Sequence, residues 1–346
     1  MADKNIDDEA ETNATGNIEN GQCSQEIEQD LASLTVDASV HRIEKDNTGS
    51  NSDKTSSENK VPVKVHPLTE RQHSLFKELS KTKGWKESFE KLEPLPLNSP
   101  KKDGHIRFVC ISDTHNGHGK LNLPDGDILL HAGDFTLRGK LKEVESFCEF
   151  LKEIKSRYKH IVVIAGNHEL TFDDKKDLFF GLFKTNADCN RGADLKEMLQ
   201  NHCIYLEDEG IELMGFRIYG SPWQPYHRGW AFNLPRGEAL LEKWNKIPEG
   251  TDILMTHGPP LGHGDLTFFD QHVGCVELLS TVQERVKPKF HVFGHIHEGN
   301  GMTTDGSTTY INAAICNFRY QPVQKPIIFD LPVQVCSPQE CSSTVS

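Results

Sequence analysis

The chain has 346 residues, 36% of them hydrophobic and 26% charged, with a formal net charge of −13. That is enough length and apolar content for one large domain with a tail, or for two domains. The negative balance argues against a general affinity for nucleic acid or for an anionic membrane.

The charge is unevenly placed. Residues 1–60 hold 14 acidic and 5 basic side chains and no Phe, Trp or Tyr. Such a segment cannot bury enough apolar area to offset its ordering entropy, so it is expected to be disordered. Within it, Ile27 to Val40 alone has some helical character. The N-terminus is acidic and polar, unlike a secretory signal, and no apolar run reaches the roughly 18 residues that span a bilayer. The expectation is a soluble, cytoplasmic protein. Nine cysteines occur without any Cys-x-x-Cys spacing, several inside apolar runs such as Phe108 to Ile111, and read as reduced, buried thiols.

Residues 61–103 read as a leader that packs on the domain. Leu75, Phe76 and Leu79, then Trp85, Phe89 and Leu92, recur at helix-like spacings before Pro94, Pro96 and Pro100 end any helix. From residue 104 to 333 strands alternate with helices. Arg107–Ser112 and Asp127–His131 are short apolar strands, and Lys140–Arg157 is a helix with Val144, Phe147, Leu151 and Ile154 on one face. His160–Ala165 is a β-branched strand, Leu195–Asn201 a helix and Gly215–Gly220 a strand. Helix Glu238–Asn245 precedes strand Asp252–Thr256, and helix Val273–Val286 precedes strand Phe290–Phe293. Thr309–Asn312 and Pro326–Leu331 are further strands, and residues 334–346 a flexible tail. This order indicates an α/β domain with largely buried sheets.

Five motifs lie just past strand ends, where an open α/β sheet places its ligand sites. In Asp113-Thr114-His115-Asn116, residues two apart on an extended segment project to one side, so Asp113 and His115 can reach one cation. In Gly133-Asp134, the glycine permits a tight turn and the carboxylate has two oxygens with which to bridge. Gly166-Asn167-His168-Glu169 supplies a neutral oxygen ligand beside a histidine free for proton transfer. His257-Gly258-Pro259-Pro260 and Gly294-His295-Ile296-His297 supply three more imidazoles. Asp113, His115, Asp134, Asn167, His257, His295 and His297 together make three oxygen donors and four imidazoles with no thiolate. The mixture suits Mn, Fe, Zn or Co better than Ca or Mg. Seven ligands exceed what one open-sited ion takes, but suit two divalent ions sharing Asp134.

The five motifs in this order resemble the calcineurin-like metallophosphoesterase superfamily. Longer stretches, Ile164 to Asp173, Gly215 to Gly220 with Ser221-Pro222-Trp223, Asp252 to Gly262 and Tyr310 to Ala313, are similar to the animal metallophosphoesterase domain-containing proteins, which belong with the class III cyclic-nucleotide phosphodiesterases. The resemblance implies a four-layer α-β-β-α sandwich. It implies that Asp113, His115 and His297 hold one metal, that Asn167, His257 and His295 hold the other, and that Asp134 bridges. His168 would stand beside the scissile phosphate. One branch of the family has glycine at the position of His295 and is poorly active; this chain keeps the histidine. The Ser/Thr phosphatase signature Gly-Asp-x-x-Asp-Arg-Gly is broken here by Leu137, although Arg138 matches.

The expected reaction is hydrolysis of a small phosphodiester, such as a cyclic nucleotide, by attack of a metal-bridging hydroxide, with two Mn ions the leading pair. A phosphomonoesterase or protein phosphatase, and a non-catalytic metal-binding module, are the alternatives. His168 would donate a proton to the leaving oxygen or stabilise charge there. Asn116 is a candidate contact to a phosphate oxygen. His118, His131, His263 and His272 are candidates to line the pocket. Trp223, Tyr226 and Trp230 form an aromatic loop suited to core packing or to stacking on a base.

Overall fold

The computed structural model describes residues 41–43, 62–174 and 192–334, so most of the acidic segment and the tail lie outside the described residues. Two sheets make its centre. The smaller has the spatial order Ile327–Pro332, His105–Ile111, Ile128–His131, His160–Val163 and Ile204–Tyr205; the first pair is antiparallel and the rest parallel. The larger runs His41–Ile43, Glu209–Leu213, Phe216–Ser221, Ile253–Thr256, Phe290–Phe293, Thr309–Asn312, Gly301–Thr304 and Glu90–Leu92. Its four central strands are parallel and its flanks antiparallel.

Strand alternation explains the layering. Ile106, Phe108 and Cys110 point one way and join Ile218, Ile253 and Val292 of the other sheet in a shared apolar layer. Phe108 meets Phe216 at 5.6 Å and Phe329 meets Phe290 at 3.7 Å across that layer. Val109 and Ile111 point the other way, against Val144, Phe147 and Leu151 of helix Leu141–Ile154. On the outer face of the larger sheet, Tyr219 and Leu254 pack with Trp244 of helix Glu238–Trp244 and Leu278 of helix Val276–Ser280. Each fully buried aromatic or branched side chain in these layers contributes roughly 1.5–3 kcal/mol relative to exposure. The result is the expected four-layer α-β-β-α sandwich.

The structure departs from the sequence reading in several places. Helix Val273–Val286 is shorter: Val276–Ser280 is α-helical and Thr281–Val286 continues as a π-helical turn that ends at Lys287, which has φ +50°. The leader does more than pack. Leu75, Phe76, Leu79 and Trp85 cover Leu261, Val276 and Leu279, and Glu90–Leu92 becomes an edge strand on Gly301–Thr304. Inside the segment expected to be disordered, His41–Ile43 pairs antiparallel with Glu209–Leu213, and Arg42 meets Glu209 at 3.3 Å. Cys110, Cys148, Cys203, Cys275 and Cys316 are free thiols, as expected. No helix among the described residues is long and apolar enough to cross a membrane.

A buried ion pair closes the edge of the smaller sheet. Arg107 Nε and Nη2 donate to Asp330 Oδ1 and Oδ2 at 2.8 and 2.9 Å, and the two side chains are 6% and 3% exposed. The hydrogen bonds from Arg107 hold Asp330 below the usual carboxylate range against the opposing effect of burial. A carboxylate with a lowered folded pKa stabilises the fold above its unfolded pKa, and that contribution is lost as pH falls through the folded value. Asp330→Asn should therefore cost about 3 kcal/mol at pH 7, because a buried guanidinium loses its counter-charge. The difference from the wild type should shrink below about pH 4. Urea unfolding of both proteins at pH 7 and pH 3 checks this; an equal difference at both would refute it.

Candidate metal centre

The first cluster assembles where strands His105–Ile111 and Phe290–Phe293 end. Asp113, His115 and His297 bring their ligand atoms within 4.8 Å of one another. The donor set has a definite electronic character. His115 Nδ1 faces the Thr136 carbonyl at 3.3 Å and His297 Nδ1 faces the Asn317 carbonyl at 2.9 Å. A carbonyl only accepts, so each Nδ1 carries a proton and each Nε2 is turned into the cluster; burial lowers the His297 pKa but Asp113 outweighs it, so positive charge is favoured there. Those two Nε2 atoms lie 3.1 Å apart, with Asp113 Oδ1 3.3 Å from one and 3.9 Å from the other. Electron-rich atoms converging in this way are reconciled by a cation.

The second cluster is Asp134, His257 and His295, with Asn167 beside it. His257 Nδ1 donates to the Ala132 carbonyl at 2.9 Å, which aims Nε2 at Asn167 Oδ1 and Asp134 Oδ2, 3.0 and 3.3 Å away. Burial opposes charge on His257, yet the Asp134 carboxylate outweighs it and pushes the imidazole up to about 9. The negative charge that draws a proton to this point also favours a divalent cation there. Burial holds His115 and His295 down at about 3, so both are neutral and ligand-ready at pH 7. Asp113 and Asp134 sit well below the usual carboxylate range; burial works against their ionisation, and the surrounding histidines overcome it. Asp134 also stands 3.8 Å from His115 Nε2, so it lies between the clusters. These residues fit a pair of divalent metal ions.

The backbone is bent to make this possible. Asp113, His115, Asn116, Asp134 and His295 all have positive φ, between +43° and +69°. For side-chain-bearing residues that conformation costs on the order of 1–2 kcal/mol each, and it turns each chain sharply off its strand end. Two glycines allow the close approach. A Cβ on Gly166 would collide with Asp134 Oδ1 and with His257, and one on Gly294 with Asp113 Oδ2 and Ser112.

His168 Nδ1 donates to the Leu137 carbonyl at 2.9 Å, which turns Nε2 toward the centre, 3.8 Å from Asp134 Oδ2. Trp230 packs 4.3 Å from the His168 ring, and Arg138 lies over Trp230 at 4.8 Å. Asp134, Asn167, His168, His295 and His297 open onto a cavity of about 410 Å³, walled by Tyr226, His227, Arg228, Phe268, Phe269, Phe318 and Tyr320. Tyr320 closes one side, its ring 4.7 Å from His115 and 5.7 Å from both His168 and His297.

Sequence reading placed some residues differently. Asn116 bonds the Phe135 carbonyl through its backbone, has a buried, unpartnered Oδ1, and is not among the described residues lining the cavity. His118, His131, His263 and His272 do not line it either: they face Ser146, Thr114, Thr303 and Asp265. Trp223 is core, its Nε1 donating to Asp208, whereas Tyr226 is 67% exposed on the cavity wall. Apart from Tyr226, the wall residues carry no strand-end signature in the sequence. Motif reading left Glu169 without a role. That buried carboxylate accepts from the backbone N–H groups of Asp134, Thr136 and Gly166.

A family profile described as calcineurin-like phosphoesterase matches residues 106–299, more than half of the chain. Metallophosphoesterase domain-containing protein 1 from Homo sapiens is 53% identical over 249 residues, covering 70% of this chain and 76% of the relative. Two UPF0046 proteins from Caenorhabditis elegans are 47% identical over 286 residues and 46% over 252, covering 79% and 70% of this chain and 70% and 87% of the relatives. Profile, relatives and the two ligand clusters agree: the chain belongs to the calcineurin-like phosphoesterase family.

Proposed function

We propose that this protein is a dinuclear metal-dependent phosphodiesterase for small diesters, cyclic nucleotides among them. The observation that carries the reading is the pair of convergent lone-pair clusters joined at Asp134, with His168 presented beside them over one cavity. Asp113, His115 and His297 would hold one divalent ion of the Mn, Fe, Zn or Co group; Asn167, His257 and His295 the other; Asp134 both. Bound there, such ions supply an activated water and neutralise charge on the phosphate oxygens.

The residues of the chain do the rest. The carbonyls of Thr136, Asn317 and Ala132 fix the tautomers of His115, His297 and His257. The Leu137 carbonyl fixes that of His168, leaving Nε2 to hold or give a proton at the departing oxygen. The charge of the wall supports a diester over a monoester. Arg236 is committed to the carbonyls of Val273 and Gly274, and Arg228 shares the wall with Glu298, which leaves little positive charge there for the second negative charge of a monoester. Leu137, standing where the phosphatase signature has an acid, points the same way.

The Mn-loaded protein should hydrolyse bis(p-nitrophenyl) phosphate, and 2′,3′- or 3′,5′-cyclic nucleotides, faster than p-nitrophenyl phosphate. A strong monoester preference would sink the reading. His168→Ala should lower turnover of a cyclic nucleotide, whose alkoxide needs a proton, by about 10²- to 10⁴-fold. Its effect on p-nitrophenyl esters, with their good leaving group, should be much smaller. Equal losses on both would show that His168 is not the proton donor.

A further inference from the structure

The wall of the cavity contains more exposed aromatic surface than the fold requires. Phe268, Phe269 and Phe318 are 69%, 80% and 52% exposed, and all three border the cavity over the candidate metal centre. Phe268 touches both others, with ring centroids 5.7 Å from Phe269 and 5.5 Å from Phe318. Large apolar groups left in water at one spot mark a binding surface.

Phe268 and Phe269 stand at the tip of a short hairpin whose base is pinned. Leu266 bridges His272, and the Thr267 and Val273 N–H groups donate to the carbonyls of Gln271 and Asp265. The Asp265 carboxylate accepts from His272 Nδ1 at 2.6 Å and from the Gly274 N–H at 2.9 Å. Arg236 holds the Val273 and Gly274 carbonyls, and Phe76 of the leader stacks on His272 at 3.5 Å. The hairpin that carries the exposed rings is therefore pinned beside the cavity. Phe318 comes from a second tight turn, in which Asn317 Oδ1 accepts from the Arg319 and Gln321 N–H groups. The Asn317 carbonyl is also the partner of His297, so this turn is tied directly to the candidate centre.

We infer that Phe268, Phe269 and Phe318 form a subsite for a flat ring attached to the phosphate, so that aryl- and nucleobase-bearing phosphoesters are selected over alkyl ones. The inference rests on the phosphodiesterase reading above for the placement of the phosphate. An aromatic face grips a planar ring by stacking with little demand on its hydrogen-bonding edge, so selection is for flatness rather than for one base.

The test uses phenylphosphonate and methylphosphonate as non-hydrolysable probes of the Mn-loaded protein, by isothermal calorimetry and by inhibition of bis(p-nitrophenyl) phosphate hydrolysis. The wild type should bind the phenyl compound at least about tenfold more tightly, as one stacked ring contributes. The double variant Phe268→Ala/Phe269→Ala should reduce that ratio to below about threefold. Phe268→Trp should keep it, which separates a lost ring from a damaged hairpin. Equal affinities in the wild type, or an unchanged ratio in the double variant, would overturn the subsite. If no diester is hydrolysed, the phosphodiesterase reading falls, while the calorimetric ratio still decides the subsite.

Discussion

Replacing Asp134 by Asn should leave the fold intact and reduce turnover of bis(p-nitrophenyl) phosphate by on the order of 10³-fold, the loss expected when a preorganised electrostatic group is removed from a reacting centre. The substitution keeps the shape of the side chain. Its Oδ1 can still accept from the His168 N–H, which lies 2.8 Å away in the wild type. What it removes is the negative charge that faces His257 at 3.3 Å and His115 and His168 at 3.8 Å. No other carboxylate lies between the two clusters among the described residues. The variant should bind less Mn than the wild type, with the deficit read by elemental analysis after gel filtration. Wild-type metal content with wild-type turnover would show that Asp134 is not shared between two ions.

Glu169→Gln should unfold more readily and lose activity although the residue faces no cavity. The Glu169 carboxylate is fully buried and accepts from Asp134 N at 2.9 Å, Gly166 N at 2.6 Å, and Thr136 N and Oγ1, both at 2.9 Å. Burial and then the charge on Asp134 raise its pKa, and the four donors oppose that shift by favouring the ionised carboxylate. A glutamine offers one acceptor oxygen and turns an NH₂ group toward the remaining donors. At least one buried N–H loses its partner, at about 1–3 kcal/mol for each. Because those donors belong to the turns that carry Asp134 and Asn167, a shift there misplaces ligands of the candidate centre, and outer-shell losses of this kind cost about 10- to 100-fold in metal affinity or activity. Urea unfolding and a Mn titration read the two effects separately. Unchanged stability together with unchanged Mn affinity would refute the assignment.

Elements encoded by local information are legible in the sequence. Phe290–Phe293 and Thr309–Asn312 are found at the predicted residues, and helix Leu141–Ile154 lies within the predicted span. In each case an apolar period of the right length is bounded by polar or turn-forming residues. The strands Glu209–Leu213, Gly301–Thr304 and Glu90–Leu92 escaped, because polar residues or glycine such as Glu209, Gly210, Glu212, Lys91, Thr303 and Thr304 interrupt any apolar period. What makes them strands is a neighbour to pair with, and that neighbour is distant in the chain. The π-helical turn at Thr281–Val286 was equally invisible, since its residues also suit an α-helix.

By itself the sequence determined the chemistry on offer: three oxygen donors and four imidazoles, each thrust off a strand end by a local turn. Side-chain type and position in the chain suffice for that, but not the extended geometry the spacing suggested: Asp113, His115 and His295 have positive φ, and His295 and His297 enter different clusters. Tertiary structure alone decided which donors meet. His115 and His297, 182 residues apart, oppose their Nε2 atoms at 3.1 Å only because the two sheets pack face to face and bring their strand ends to one edge. It also decided the cavity wall, where Tyr226, Phe268 and the pair Phe318 and Tyr320 come from three separate loops with no shared period. A loop residue's position is set by where its flanking strands end, and strand order is a property of the whole sheet.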